Sequence, residues 1–404
     1  MGIMDGIRVV EVASWTYVPV AGAVLAEWGA DVIKIEHPET GDPQRGLAAM
    51  GLIPSGPGGV NFMMELPNRG KRSVGLDMAT EEGRDLLLRL CATADVFVTN
   101  FRPQARRKLR IDVEHIREAN PDIIYVRGSG QGQRGPDAER GGYDNSTFWG
   151  RGGPADIISD PDDYPLAQPG PAFGDVIGGL TIAGGISAAL FHRQRTGEPV
   201  IVDNSLLATS MWATGATSLA ASLFGFGRMP RGDRRKTPNP IVGNYRTSDN
   251  RYLSLVMLES DRYWADLVEH LGAPELADDP RFVDSRARAE NSVDCVTILD
   301  ELFAKKTYEE WKEILSDAKG VWAPVQTATE VMVDPQALAN GYVREVEAKS
   351  GTVFKIVASP LQFDETPPDL TRAPDHGEHT DEVLGELGLD MDAILELKVK
   401  GAVL

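Results

Sequence analysis

At 404 residues the chain is too long for a single compact core, so two or three domains are expected. Its 42% hydrophobic and 25% charged residues are those of an ordinary globular protein. A formal net charge of −19 argues against a nucleic-acid binder, whose affinity rests on a basic surface, and any polyanionic small ligand would need a locally basic patch. The opening residues show no basic segment leading into an apolar run, so no signal peptide is expected. No apolar run is expected to approach the ~20 residues that span a bilayer, and the chain reads as soluble, with no membrane partner. Cys91 and Cys295 lie far apart and the six histidines are scattered, which predicts no metal centre and a reducing cytoplasmic setting.

Residues 7–12 read as a first strand. A loop through Trp15, Tyr17 and Pro19 follows, then a helical run over 21–28. Residues 29–36 return as a second strand, which makes a βαβ unit and implies a parallel sheet. Past a Gly/Pro-rich loop over 37–58, Asn68-Arg69-Gly70-Lys71-Arg72 leads into a short strand at 73–76. Thr80 is placed to cap a helix over 81–91, and 95–99 is another strand. It opens into Asn100-Phe101-Arg102-Pro103, followed by Arg106, Arg107, Lys108 and Arg110. Ligands of open α/β sheets gather at the carboxyl ends of strands, so these cations suit a phosphate-bearing ligand. A solvated basic helix face is the commoner meaning of such a run.

The next strand, 123–126, opens into the glycine-rich loop 128–135. Its glycines lack the G-x-G-x-x-G spacing and Pro136 stands where a helix should begin, so it is no dinucleotide fingerprint. Phosphate-loop, metalloprotease, serine-hydrolase and paired C-x-x-C motifs are likewise missing from the sequence.

Residues 171–197 are the stretch around which the chain is organised. Asp175 stands at the front of a segment rich in Gly, Ala, Ile and Leu, Arg193 and Arg195 close it, and Gly197 stops it. That is the polarity of a helix, with an acid first and cations last. Paired glycines cost helix propensity, a cost a buried helix accepts where other backbone must come close. Asp175 has two readings: a cap for the helix, or a nucleophile kept ionised by the helix N-terminus.

Residues 200–205 form a further strand and 206–224 one long helix. Residues 225–240 are polar, basic and Pro-rich, a candidate linker. A hairpin over 244–253, turning at Asp249-Asn250, opens a smaller α/β domain over 241–330, and 331–404 returns to the large domain formed by 1–224. Residues 353–357 read as a strand, with final helices starting near Thr380 and Met391.

With these segments in order, the sequence resembles the class III CoA-transferases, a family that also holds the α-methylacyl-CoA racemases. The resemblance runs nearly end to end. It rests on residues 29–36 with Gly41-Asp42, residues 68–77, Asn100-Phe101-Arg102-Pro103, Gly174-Asp175, Arg195-Thr196-Gly197, Ala323-Pro324-Val325, and Ala373-Pro374 through Gly388. The resemblance implies a Rossmann-like large domain with a parallel sheet plus a smaller α/β domain, in an interlocked homodimer. It implies that Asp175 is the catalytic aspartate, attacking an acyl-CoA thioester to give a mixed anhydride and then an aspartyl-CoA thioester. A carboxylic acid then accepts the CoA, and no metal or other permanently bound cofactor takes part.

By position, the family's CoA site carries over to Thr16, Tyr17, His37, Asn68, Arg69, Gly70, Lys71, Asn100, Phe101, Arg102 and Lys108, with Gly142, Tyr143 and Asp144 nearby. His37 stands where many relatives have Arg, and Gln104 and Arg110 stand where glycines are common. The similar racemases have a proton-shuttling His at the position of Tyr143. A Tyr, with its pKa near 10, carries protons poorly at neutral pH, which favours a transferase over the alternatives of a racemase or epimerase and a non-catalytic CoA-binding protein. The glycine run that some relatives carry in the small domain is replaced by a basic stretch of Arg228, Arg231, Arg234, Arg235 and Lys236. Those cations read equally as facing a carboxylate acceptor and as a solvated linker.

Overall fold

The computed structural model describes residues 2–160, 166–230 and 232–404. Arg231, one of the basic stretch, lies outside them. The chain divides into two compact units, Met1–Arg228 with Pro335–Leu404, and Met229–Asp334.

The larger unit is built on six strands: β1 Arg8–Val12, β2 Asp31–Glu36, β3 Arg72–Gly75, β4 Val96–Thr99, β5 Ile124–Ser129 and β6 Ile201–Ser205. Every neighbouring pair is parallel, in the order β3-β2-β1-β4-β5-β6 of a doubly wound sheet. The central strands β1, β4 and β5 are largely apolar on both faces because helices cover both, whereas the edge strand β6 is exposed or half-buried over most of its length. Alternate side chains feed two separate cores. Val9, Val32, Val96, Val98 and Val126 enter the core beneath the helices Tyr17–Glu27 and Phe173–Thr196. Val10, Ile33, Val74, Phe97 and Tyr125 enter the other, beneath Glu81–Ala92, Thr380–Glu386 and Met391–Val399. Each such fully buried aliphatic or aromatic side chain contributes about 1.5–3 kcal/mol.

The C-terminal segment is latched to β3. The amide of His379 donates to the Ser73 carbonyl at 2.9 Å, the Thr380 hydroxyl accepts from the Gly75 amide at 3.0 Å, and Leu76 pairs with Val403. The Thr80 cap forms as expected, its hydroxyl accepting from the Gly83 amide at 3.0 Å.

Two sequence expectations change. Residues 206–224 form two helices, Leu206–Ala213 and Gly215–Phe224. Thr214 breaks them with φ −99° and ψ 13°, its hydroxyl bonding back to the Ser210 carbonyl at 3.0 Å just before Gly215. The helix Phe173–Thr196, at 24 residues and a mean hydropathy of 1.5 in its most apolar window, does reach the length and composition of a membrane span. Its Gly178, Gly179, Ile182, Ala183 and Ile186 are buried in the core it shares with Tyr17–Glu27.

The smaller unit carries an antiparallel sheet of β7 Val242–Arg246, β8 Tyr252–Val256 and β9 Trp322–Pro324. Tyr245, Leu253, Leu255, Trp264, Phe303 and Trp311 form its core. Asn250, in the expected hairpin turn, has φ 61°. In the larger unit, β10 Val343–Glu347 and β11 Val353–Val357 form a separate two-stranded antiparallel sheet.

Candidate active site

β1 and β4 are neighbours, yet the chain proceeds from β1 to one side of the sheet and from β4 to the other. Loops leaving such a switch point part and open a crevice at the carboxyl ends of the strands. A cleft of about 580 Å³ lies there. Ser14 and Trp15 line it from the loop after β1, Asn100, Phe101 and Arg102 from the loop after β4, and Gly128 to Gly130 from the end of β5. Gly141, Gly142, Tyr143 and Asp175 also line it.

The helix bearing Asp175 begins at Phe173, so Asp175 is its third residue and not its cap. The flanking position belongs to Ala172, buried and left-handed at φ 63°, ψ 17°, with no side-chain capping bond of its own. An alanine held there costs about 1–2 kcal/mol. The capping group comes from far away in sequence: Oδ1 of Asp144 accepts from the Gly174 amide at 2.9 Å. Asp144 opens a π-helical segment, Asp144–Arg151, a geometry often found at functional sites.

Of the paired glycines in the central helix, Gly178 and Gly179 admit close neighbours, chiefly side chains and not the backbone expected, whereas a Cβ on Gly184 would meet nothing within 4 Å. A Cβ on Gly174 would lie 2.2 Å from Cγ of Phe148 and 2.5 Å from Oδ1 of Asp144. On Gly178 it would lie 2.4 Å from Cε2 of Tyr17, and on Gly179 2.5 Å from Cβ of Val20. Glycine at these three positions therefore lets Asp144 and Tyr17 reach the first turns of the helix.

Burial pushes the Asp175 carboxyl up to about 7, and the negative charge of Asp144 adds to the rise. Among the described residues no hydrogen bond or ion pair holds this carboxylate. Burial also raises Asp144, opposed by the amides of residues 172–175 around it. The Tyr17 phenol is raised by burial and by the Asp175 charge. The hydroxyl of Thr209 is close to Tyr17 but bonds the Ser205 carbonyl at 2.9 Å and Oδ1 of Asn204 at 3.3 Å. The buried Tyr17 hydroxyl makes no well-formed hydrogen bond among the described residues, although the nearby Thr209 hydroxyl partly offsets the rise of the phenol.

The loop after β1 is fixed from two sides. Asn100 accepts from the Ser14 amide at 3.1 Å and donates to the Ser14 carbonyl at 2.6 Å. Asp42 accepts from the Trp15 amide at 3.1 Å, and Lys34 donates to the Ala13 carbonyl at 2.8 Å. Trp15 is thereby held at φ 68°, with its ring edge-to-face with Tyr143 at 5.8 Å and 87°.

The residues singled out from the sequence separate into groups. Tyr17, Asn100, Phe101, Arg102, Gly142, Tyr143 and Asp175 line the cleft, and Asp144 supports it from behind. The remainder lies elsewhere. Thr16 is buried and donates to the Gln44 side chain at 2.8 Å. His37 follows β2, is exposed, and accepts from the Glu39 amide at 3.2 Å through Nδ1. Asn68, Arg69 and Lys71 are buried, and Gly70 turns between them at φ 74°. Arg69 pairs with Glu27. Lys71 Nζ donates to both oxygens of Glu11 at 2.8 and 2.7 Å, to the Pro19 carbonyl at 2.8 Å and to Asn68 at 3.2 Å. Burial outweighs Glu11 and pulls Lys71 down to about 7. Within this single chain, Asn68 and Lys71 brace the interior behind the cleft.

The basic run splits in the same way. Arg102 and Arg106 both line the cleft, Arg106 being buried on Asp112 at 2.7 Å and the Phe101 carbonyl at 2.9 Å. Arg107 pairs with Glu139 at 2.8 Å, Lys108 is exposed, and Arg110 lies against Glu81, Arg84 and His115. Among the lining residues that the sequence did not single out for the site are Trp15 and Arg140. The aromatic in the first strand-to-helix loop was the available signal for one, and the cation before Gly141-Gly142 for the other.

Fold and site together define a doubly wound α/β enzyme with a free carboxylate at its switch-point cleft. The sequence matches the model of CoA-transferase family III over residues 4–380, and the chain belongs to that family. It is 31% identical over 400 residues to (R)-2-hydroxy-4-methylpentanoate CoA-transferase of Clostridioides difficile, covering 98% of each chain. It is also 31% identical to α-methylacyl-CoA racemase of Mus musculus, over 98% of this chain and 96% of the other. The crystal structure of a CAIB/BAIF family protein from Brucella suis superposes with a TM-score of 0.80 at 31% identity, covering 96% of this chain and 99% of that one.

Proposed function

We propose that this enzyme moves CoA from an acyl-CoA donor to a carboxylic acid, with Asp175 as the nucleophile. The observation that carries the reading is the state of the Asp175 carboxylate. It lines the cleft at the first turn of a helix, yet no donor among the described residues occupies it. A carboxylate spent on capping or an ion pair would be a poor nucleophile, and Asp144 has taken over the capping.

In this scheme an oxygen of Asp175 adds to the thioester carbonyl, and the C–S bond breaks to release CoA thiolate and leave an acyl-aspartyl anhydride. The thiolate then attacks the aspartyl carbonyl, the donor acid departs as its carboxylate, and an aspartyl-CoA thioester remains. The acceptor carboxylate repeats the two steps in reverse, so no net proton or electron is exchanged. Splitting the exchange into activated steps is the gain of covalent catalysis. The unpartnered Tyr17 hydroxyl is suited to donate to the oxyanion that forms at each tetrahedral step. Arg102 and Arg140 in the cleft wall suit CoA phosphates. Tyr143 in place of a proton-shuttling His supports transfer over racemisation.

The same reading takes the enzyme as a homodimer. Trp212 is 89% exposed and the apolar helix Gly215–Phe224 buries none of its residues, a surface that a second copy would cover.

The test is to incubate the enzyme with acyl-CoAs and carboxylic acids in deuterated water. The proposal predicts new CoA esters that depend on the added acid and carry no α-deuterium. Acid-independent α-deuterium uptake would instead establish a racemase, and binding without either product a CoA-binding protein.

A further inference from the structure

Trp15 is an expensive residue where it stands. A large aromatic side chain at φ 68° is strained by about 1–3 kcal/mol, and the surroundings are built to hold it. Asn100 makes two bonds to the backbone of Ser14, and Asp42 receives the Trp15 amide. Asp42 is itself fully committed inside the unit, 2.9 Å from Lys34 Nζ. The backbone is thus pinned by groups that a glycine would satisfy equally well, and the indole remains to be explained. It lines the cleft and meets Tyr143 edge-to-face.

That aromatic pair lines the same cleft as Asp175. Tyr143 is covalently next to Asp144, whose carboxylate holds the amide of Gly174, the residue before Asp175. Trp15 lies two residues before Tyr17, whose phenol feels the Asp175 charge. A group joined to a thioester carbonyl under attack by Asp175 would lie against these rings. Aromatic walls favour flat, apolar groups through offset and edge-to-face contacts, about 0.5–1.5 kcal/mol per pair beyond the area buried.

Resting on the transferase reading above, we propose that Trp15 is the specificity-determining residue for the acyl group and that it selects aryl-substituted acyl chains over short aliphatic ones. Phenylacetyl-CoA and acetyl-CoA serve as the probe pair.

The experiment compares wild type with Trp15→Gly and Trp15→Asn, both of which accept a left-handed backbone, by kcat/KM for each donor and by equilibrium binding of each CoA ester. The expected result is a fall of about tenfold or more in the ratio of phenylacetyl-CoA to acetyl-CoA kcat/KM in both variants. An equal fall for both esters would make Trp15 a contact for CoA itself and overturn the proposal, as would an unchanged ratio. Wild-type enzyme that binds phenylacetyl-CoA more tightly through Trp15 but transfers neither group would uphold the specificity and sink the transferase reading instead.

Discussion

The carboxylate of Asp144 accepts a hydrogen bond from the amide of Gly174 at 2.9 Å, across 30 residues of sequence. This one bond has two effects on Asp175. It satisfies the helix N-terminus, so the Asp175 side chain is released into the cleft, and it sets a second negative charge nearby. The sequence leaves two readings on a single aspartate; the structure gives the capping to Asp144, and in the proposed reaction the nucleophilic role falls to Asp175.

The pH dependence of transfer follows from that arrangement. Only ionised Asp175 attacks, so kcat/KM should rise through pH about 7, the value to which burial chiefly and Asp144 secondarily lift it. Asp144→Asn removes the secondary cause and should move this limb to lower pH by a fraction of a unit. It should also cost about 1 kcal/mol of stability through the weakened cap. A pH–rate profile of both proteins checks the shift, and an unmoved limb would remove Asp144 from the electrostatics of the site.

Asp175 should be a net liability to stability at alkaline pH. Its folded-state value lies above the ~4 expected in the unfolded chain, so the folded state binds the extra proton between pH 4 and about 7. Stability is therefore lost as pH rises across that window and stays lost above it. Asp175→Asn should abolish transfer, yet be more stable than wild type at pH 8 by up to about 4 kcal/mol and nearly equal to it near pH 4. Urea unfolding at the two pH values measures the difference.

Tyr17→Phe isolates one oxygen atom. The hydroxyl has no partner among the described residues, so its removal leaves nothing newly unsatisfied, and folding should be unharmed or slightly improved. Transfer should fall by about 10²-fold in kcat with little change in KM, the pattern of a contact made only in the transition state. An unaltered kcat would leave Tyr17 a packing residue over Gly178.

Glu11→Gln probes the buried ion cluster behind the cleft. Glu11 receives Lys71 at 2.7 Å and Lys34 at 3.3 Å, and all three side chains are fully buried. Removing its charge leaves the buried Lys34 ammonium with less compensation and drives Lys71 toward its neutral form, which should cost about 3–5 kcal/mol. Lys71, already pulled down to about 7 by burial, would then be neutral in the folded state at pH 7. Stability of the variant should therefore rise with pH up to the unfolded lysine value near 10. Thermal unfolding across that range tests this.

Much of the larger unit was legible from period and punctuation. The Val/Ile runs of β1, β2, β4 and β5 announced strands buried on both faces, and Asp175, Arg195 and Gly197 marked the ends of the central helix. The glycines at 174, 178 and 179 announced close packing without saying against what, because their partners Phe148, Tyr17 and Val20 come from other elements. The cap was illegible for the same reason: a helix that draws on Asp144 carries no local sign of it. The basic run after β4 divides through helical geometry, which turns Arg106 inward to Asp112 and Arg107 outward to Glu139. Asn68 and Lys71 were assigned to the ligand by their position in the family resemblance, and the register of Glu11 beside Lys34 shows the interior charge that Lys71 meets within this chain.

The central claim is that Asp175 becomes covalently acylated. Mixing the enzyme with an acyl-CoA, quenching with hydroxylamine and mapping peptides by mass spectrometry tests it directly. The account predicts a hydroxamate on Asp175 in wild type and none anywhere in Asp175→Asn. Rapid CoA exchange with Asp175 unmodified, or a hydroxamate on a different carboxylate, would contradict it.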